Sequence, residues 1–361
     1  MAGTLRVGVL GATGMVGQRF LALLENHPWF KVTTLAASAN SAGKTYKDAV
    51  AGRWAMKTPI PPAFADLTVL NASAIAEVAE RVDFVFCAVD MPKDETRKLE
   101  DDYAKREIPV VSNNSAHRGT ADVPMMIPEI NGGHAAIIAD QRKRLGSKRG
   151  FVAVKPNCSL QSYVPAIDPL MAFGPQDIFV ATYQAISGAG KTFASWPEMV
   201  DNLIPFIKGE EQKSEEEPMK IWGKIEGGKI VPAKTPRISA QCIRVPASDG
   251  HMAAVFVRFA KKPTLEQILD CWKKAEGKPQ QLKLPSAPVP YLIYFTDDSR
   301  PQTKLDRDAG GGMAITIGRL RPDTIYDYKF VCLSHNTVRG AAGGAVLTAE
   351  LLTAEGYITA K

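Results

Sequence analysis

The sequence predicts an α/β fold in which an N-terminal, doubly wound parallel sheet is followed by a second, α+β domain built on a mixed sheet. Three observations carry that prediction. An apolar run, Leu5–Leu10, passes through the glycine-rich turn GATGMVG straight into the helical stretch QRFLALLEN. Short buried runs then alternate with helical stretches as far as Pro156. Beyond Cys158 the strand-like runs are longer and alternate with polar residues, the texture of a sheet with one solvated face.

In chain order, Phe30–Ala37 reads as the second strand, followed by Val82–Val89, Pro109–Ser112 and Phe151–Val154, with Met91–Arg106 as a helix among them. In the second half Phe179–Ala185, Cys242–Val245, Ala253–Phe259, Tyr291–Phe295, Met313–Leu320 and Tyr326–Leu333 read as strands. Leu265–Ala275 reads as a helix packed on them, and Thr337–Thr353 as an amphipathic helix returning to the first domain. A chain of 361 residues is too long for one ordinary domain. Residues 1–157, with 337–361, are expected to form one unit and residues 158–336 the other.

Hydrophobic residues make up 45% of the chain and charged residues 23%, which excludes disorder over its length. The net charge of +6 suits anionic small molecules and does not by itself indicate nucleic acid. The densest basic run, Arg142, Lys143, Arg144, Lys148 and Arg149, has no interleaved aromatics and reads as a solvated loop. An acidic stretch, Glu210, Glu211 and Glu215–Glu217, partly offsets it. The five cysteines show no C-x-x-C pair and no zinc-like spacing with histidine, so free thiols and no metal are expected. The strand at Leu5 leaves no room for a signal peptide, and no apolar run is long enough to span a bilayer. A cytoplasmic protein with neither a membrane nor a nucleic-acid partner is the expectation.

Gly8, Gly11, Gly14 and Gly17 punctuate the turn between a strand and a helix. Glycines there permit a tight turn and let backbone N–H groups approach a pyrophosphate at the helix N-terminus. Gly11, Thr13, Gly14, Met15, Val16 and Gly17 are therefore the candidate dinucleotide cradle. The second strand ends in Ala37, Ser38, Ala39, Asn40 and Ser41, with Lys44 nearby and no carboxylate to hold a ribose 2′-hydroxyl. Hydroxyls from Ser38 and Ser41 plus a cation suit a 2′-phosphate, so NADP is the expected cofactor.

Cys158, in KPNCS, lies where a buried strand gives way to a helical stretch, Leu160–Leu170. A thiol at a helix N-terminus has its thiolate stabilised, so a nucleophile at neutral pH is expected there. The other four cysteines fall in apolar strands or an amphipathic helix, where packing is their expected role. His251, on a turn after Gly250, could serve as acid or base, but spacing alone does not choose it over His27, His117, His134 or His335.

The motifs GATGMVG, SNNSAHR, DVPMMIPEIN, PNCS, YQAISGAG, EEPMK, RVPASDGH and NTVRGAAGGAV occur in one order along nearly the whole chain. In these the sequence resembles the aspartate-semialdehyde dehydrogenases, nearer their archaeal and fungal branch than the common bacterial one. The resemblance implies that Cys158 is the nucleophile, His251 the acid/base and Gln184 the group that orients the acyl intermediate. It implies Arg244 for the substrate carboxylate, Glu217 for its ammonium, and Arg118 with Lys220 and Asn114 for phosphate. Ser187 and Gly188 would lie near the cofactor phosphates and Asn336 near the nicotinamide. The implied reaction is reduction of L-aspartyl 4-phosphate by NADPH to the semialdehyde, in a homodimer or homotetramer. N-acetyl-glutamyl-phosphate reductase is the nearest rival, but its thiol lies in a GCYPT-like context and its acylated substrate needs no Glu217. A silent NADP-binding sensor would have lost Cys158, His251 or Arg244, and all three are present.

Overall fold

The computed structural model describes residues 4–361. Strands β1 (Leu5–Leu10), β2 (Phe30–Ala37), β3 (Val69–Asn71), β4 (Phe84–Cys87), β5 (Val110–Ser112) and β6 (Val152–Val154) form one sheet. Its order is β3-β2-β1-β4-β5-β6, and every pair is parallel. Strand order reverses at β1, which opens a crevice beyond the carboxyl ends of β1, β2 and β4. The glycine turn lies there. Gly11 has φ +81°, and a Cβ on it would fall 2.2 Å from the Ala88 carbonyl oxygen. Gly17, in the helix Met15–Leu24, lets that helix approach so closely that a Cβ would lie 2.2 Å from the Gly11 carbonyl oxygen.

The second sheet contains β7 (Pro175–Gln184), β10 (Arg237–Arg244), β11 (His251–Phe259), β12 (Leu292–Phe295), β13 (Ile315–Pro322) and β14 (Tyr328–Ser334). A small hairpin, β8 (Lys224–Glu226) and β9 (Lys229–Val231), stands apart from it. The sheet is mixed, in the order β10-β7-β11-β14-β13-β12: its central pairs are antiparallel, and β10 and β12 each join parallel to a neighbour. Ala253, Val255 and Val257 of β11 bury one face against helices Leu160–Ile167 and Leu265–Lys274. Trp272 fills the space between those helices, its indole N–H donating to the Ala166 carbonyl at 2.7 Å.

Two expectations need correcting. The C-terminal segment is not amphipathic: a π-turn, Val338–Ala342, leads into the helix Gly343–Ala354, and residues 343–352 are buried on every side. Its small and aliphatic residues share a core with Leu5, Phe20, Phe30 and Phe151 of the first half, which leaves it no polar face. The basic run is only partly a solvated loop: Lys143, Arg144 and Lys148 are exposed, but half of the run is helical. Arg142–Arg144 end the helix Ile138–Leu145, and the Arg142 guanidinium lies over the Phe151 ring at 5.3 Å. Within the acidic stretch, Glu210 and Glu217 face inward from the helix Glu210–Ile221.

One ion pair fastens the C-terminal return. Arg339, 1% exposed, donates to both oxygens of Glu129 at 2.8 and 3.0 Å and to the Met313 carbonyl at 2.9 Å. Replacing Arg339 by Met strands the Glu129 carboxylate in the interior, at a cost of about 3–5 kcal/mol. Chemical denaturation should show that loss, and adding Glu129→Gln to Arg339→Met should recover part of it. If the double variant is no more stable than Arg339→Met, the loss comes from packing alone.

Candidate active site

Cys158 follows β6 in a turn, and the helix behind it begins at Leu160. The free N–H of Ser159 does not serve the thiol, because the Asn157 side-chain oxygen accepts from it at 2.8 Å and from the Ser159 hydroxyl at 2.7 Å. Burial pushes the Cys158 thiol up, and the Glu210 carboxylate adds to this; Lys155, Arg118 and Arg244 pull it down without prevailing. The surroundings thus favour the thiol over the thiolate expected from its place before a helix. Helix-end stabilisation is small where the end N–H is already used, and desolvation outweighs it.

Three side chains converge from one end of the second sheet. Gln184 ends β7, Arg244 ends β10 directly opposite it, and His251 begins β11. His251 is thus a fully buried strand residue rather than a flexible turn residue. The Ala185 backbone positions two of the three: its N–H donates to His251 Nδ1 at 3.1 Å, and its carbonyl accepts from Arg244 Nη1 at 2.7 Å. Because Nδ1 accepts, the neutral ring carries its proton on Nε2, which has no protein partner. Burial, helped by the Arg244 charge, lowers the ring's pKa to about 3, so it is neutral at physiological pH. A Cβ on Gly188 would stand 3.0 Å from both Arg244 Nη1 and His251 Nε2, so this glycine keeps the space beside them open.

The helix Glu210–Ile221 supplies the other wall. Glu210 accepts from Asn157 at 2.9 and 3.0 Å, from Gln184 at 3.2 Å and from Lys213 at 2.8 Å. It links the residue before the thiol to Gln184. Two turns on, Glu217 accepts from the Asn157 N–H at 2.6 Å and from Arg118 at 3.1 Å. Arg118, Glu217 and Lys220 line a cavity of about 500 Å³ together with Ser115, Lys213 and Glu216. Lys220 spends two donors on the carbonyls of Arg118 and Thr120, each at 2.7 Å, and burial lowers its pKa to about 8. Asn114 does not join this group. Its amide donates to Glu100 at 3.2 Å and Cys87 at 3.4 Å, inside the first half.

A second cleft of about 500 Å³ opens at the reversal in the first sheet, lined by Gly11, Thr13, Gly14, Ser38, Arg53 and Asp90 among others. Met15 and Ser187 instead line a smaller cavity of about 150 Å³ with Arg19 and Ser248. Val16 packs into the core, and Ser41 is buried behind Ser38, donating its N–H to the Ser38 carbonyl at 3.0 Å. Asn336 accepts from the Gly250 N–H at 2.8 Å and donates to Ser187 at 2.9 Å, which fixes the turn before His251. The other four histidines serve elsewhere: His27 pairs with Glu350, His117 with Thr120, His134 with the Gly223 carbonyl, and His335 lies by Asp308.

Sequence reasoning passed over Glu210, Asn157, Lys155 and Arg53. Lys155 is buried beside the thiol, and desolvation lowers its pKa to about 7. The spacing of Glu210 and Glu217, two helical turns apart, was the signal available for that wall.

Two family models match the chain: "Semialdehyde dehydrogenase, NAD binding domain" over residues 6–138 and "Semialdehyde dehydrogenase, dimerisation domain" over residues 167–339. The aspartate-semialdehyde dehydrogenase of Archaeoglobus fulgidus is 44% identical, over 98% of this chain and 99% of that one. The Aspergillus fumigatus enzyme of the same name is 39% identical, over 98% of each. The crystal structure of the Candida albicans aspartate-semialdehyde dehydrogenase with NADP superposes with a TM-score of 0.88 at 36% identity, covering 98% of this chain and 100% of that one. With fold and full-length similarity in agreement, the chain belongs to the aspartate-semialdehyde dehydrogenase family.

Proposed function

We propose that the chain reduces L-aspartyl 4-phosphate to L-aspartate 4-semialdehyde, reversibly, through a thioester on Cys158. One observation carries this reading: Asn157, the residue before Cys158, is bound to Glu217 of the Arg118 cavity and, through Glu210, to Gln184, while the charges of Arg118 and Arg244 act on the thiol and Arg244 shares the Ala185 backbone with His251. A dinucleotide fits the first-sheet cleft, where Gly11 permits the tight turn and no carboxylate follows β2. That supports NADP, the cofactor bound in the Candida albicans relative. When bound, NADPH supplies the hydride that reduces the acyl carbon.

The remaining chemistry belongs to the chain. Cys158 Sγ attacks the acyl carbon, forming a C–S bond as the C–O bond to phosphate breaks; phosphate leaves with the electron pair and carries away the proton that the thiol gives up. Arg118, whose buried Nε has no protein partner, holds the phosphate. Lys220 acts through the two carbonyls it binds, fixing the Arg118 loop. Arg244 takes the substrate carboxylate and Glu217 the ammonium, while Gln184 orients the acyl group. The His251 Nε2–H donates to the oxygen where charge develops in the tetrahedral centre. When that centre collapses, the C–S bond breaks and its electron pair returns to sulfur.

Residues 1–157 with 337–361 form the cofactor half in this reading, and residues 158–336 form the catalytic half through which copies assemble as a homodimer or homotetramer. The setting is cytoplasmic biosynthesis of lysine, methionine, threonine and isoleucine. Among the described residues no helix is long and apolar enough to cross a membrane.

Purified protein given aspartate semialdehyde, phosphate and NADP should form NADPH only when phosphate is present, and Cys158→Ala should reduce the rate to background. A well-folded, NADP-binding protein that does not turn over would sink the substrate assignment. N-acetyl-glutamate semialdehyde would be tried next.

The ionisation of the thiol gives a second prediction. Iodoacetamide alkylation of the free protein should rise with pH around a midpoint above the ordinary cysteine value of about 8.5. Removing the Glu210 charge favours the thiolate, so Glu210→Gln should move that midpoint down. The same variant should lower kcat roughly tenfold to a hundredfold, because Asn157 and Gln184 lose their common anchor. A wild-type midpoint below about 7, the region of activated cysteines, contradicts this account.

A further inference from the structure

We infer that Arg53 is the residue that tells a 2′-phosphorylated dinucleotide from an unphosphorylated one, receiving the 2′-phosphate together with Ser38. The inference rests on the proposed NADP cofactor and adds to it a specificity residue that the sequence motifs do not contain.

Arg53 is the only cation among the residues lining the first-sheet cleft. Lys44, the cation expected from sequence, stands on an exposed turn and is absent from that lining. The backbone of Arg53 is bound to the glycine turn through one buried side chain. Gln18, 1% exposed, donates through Nε2 to the carbonyls of Thr13 and Arg53, each at 3.0 Å. Its Oε1 accepts from the Ala55 N–H at 2.7 Å. The loop carrying Arg53 is therefore held in register with the turn that cradles the pyrophosphate.

The guanidinium has its own support, since Nη2 donates to the Ala49 carbonyl. Among the described residues no carboxylate pairs with it, and Nε and Nη1 remain for a ligand. Asp90 is the one carboxylate on the lining, and it follows β4, which β1 separates from β2. The end of β2 thus offers a hydroxyl and a planar, permanently charged fork, which suits a phosphate dianion and gives a bare 2′-hydroxyl no carboxylate to accept from it.

The test is the affinity of the full-length protein for adenosine 2′,5′-bisphosphate and for 5′-ADP, by isothermal titration calorimetry, in wild type, Arg53→Ala, Arg53→Lys and Lys44→Ala. Wild type should prefer the 2′-phosphorylated ligand. Arg53→Ala should weaken that ligand roughly tenfold to a hundredfold, the range of a hydrogen-bonded charge pair, and leave 5′-ADP within about twofold. Arg53→Lys should keep part of the preference, and Lys44→Ala all of it. If Arg53→Ala keeps the full preference, or loses both ligands equally, the assignment of Arg53 is overturned while NADP stands. A wild type without any preference overturns the NADP reading and this inference together.

Discussion

The enclosed pair of Arg339 and Glu129 is the interaction on which the arrangement of the two sheets depends. The chain leaves β14 in the second sheet and must return to cover the first, and Arg339 lies on that return. Its guanidinium joins the C-terminal segment to Glu129 of the first half and to the Met313 carbonyl just before β13. An isolated buried charge is expensive, so the pair exists only when all three segments are in place. The residue after it, Gly340, lies against Cys158: a Cβ there would fall 2.9 Å from the cysteine Cβ. Closure of the fold and placement of Cys158 are consequences of one connection.

The charges around Cys158 explain how a half-buried thiol is kept in reserve. Three cations, Lys155, Arg118 and Arg244, oppose one carboxylate and the cost of desolvation, and desolvation wins. A neutral thiol is protected from oxidation, since the thiolate is the reactive form. Each pH unit between its pKa and the medium costs about 1.4 kcal/mol to form the thiolate. His251 does not lower that cost in the resting tautomer, because Ala185 occupies Nδ1 and Nε2 already bears the proton. The imidazole is therefore arranged as a donor to developing negative charge, which is the role that the proposed thioester step asks of it.

What could be read in the sequence was local. The glycine turn, the thiol after a buried strand, and most strands of both sheets follow from patterns within about ten residues. Hidden were the features made by chain segments meeting. Spacing does not separate His251 from four other histidines; the physical reason for it emerges when β11 is laid beside β7 and Ala185 reaches its ring. Arg53 is an ordinary polar residue until Gln18, 35 positions earlier, binds its carbonyl. Asn114 belonged to a family motif, yet its amide is claimed by Glu100 and Cys87, contacts that no spacing announces. The all-round burial of the C-terminal helix was missed for the same reason, since small residues look amphipathic until two layers close over them.

Register in the second sheet fixes the site more tightly than any single contact. Gln184 pairs with Arg244 across β7 and β10, while Met252, one residue after His251, pairs with Tyr183 across β7 and β11. Side chains alternate between faces along a strand, so a slip of one residue in β10 would turn Arg244 to the opposite face. The Ala185 carbonyl would then lose its guanidinium. The backbone of Ile204 resists that slip, because it exchanges both of its hydrogen bonds with Arg244, at 2.8 and 3.0 Å. β10 is an edge strand in this chain, and the Ile204 bridge supplies pairing that the sheet itself does not. The residue expected to take the substrate carboxylate is thus held on both sides of its backbone, which gives a long side chain on an edge strand a fixed origin.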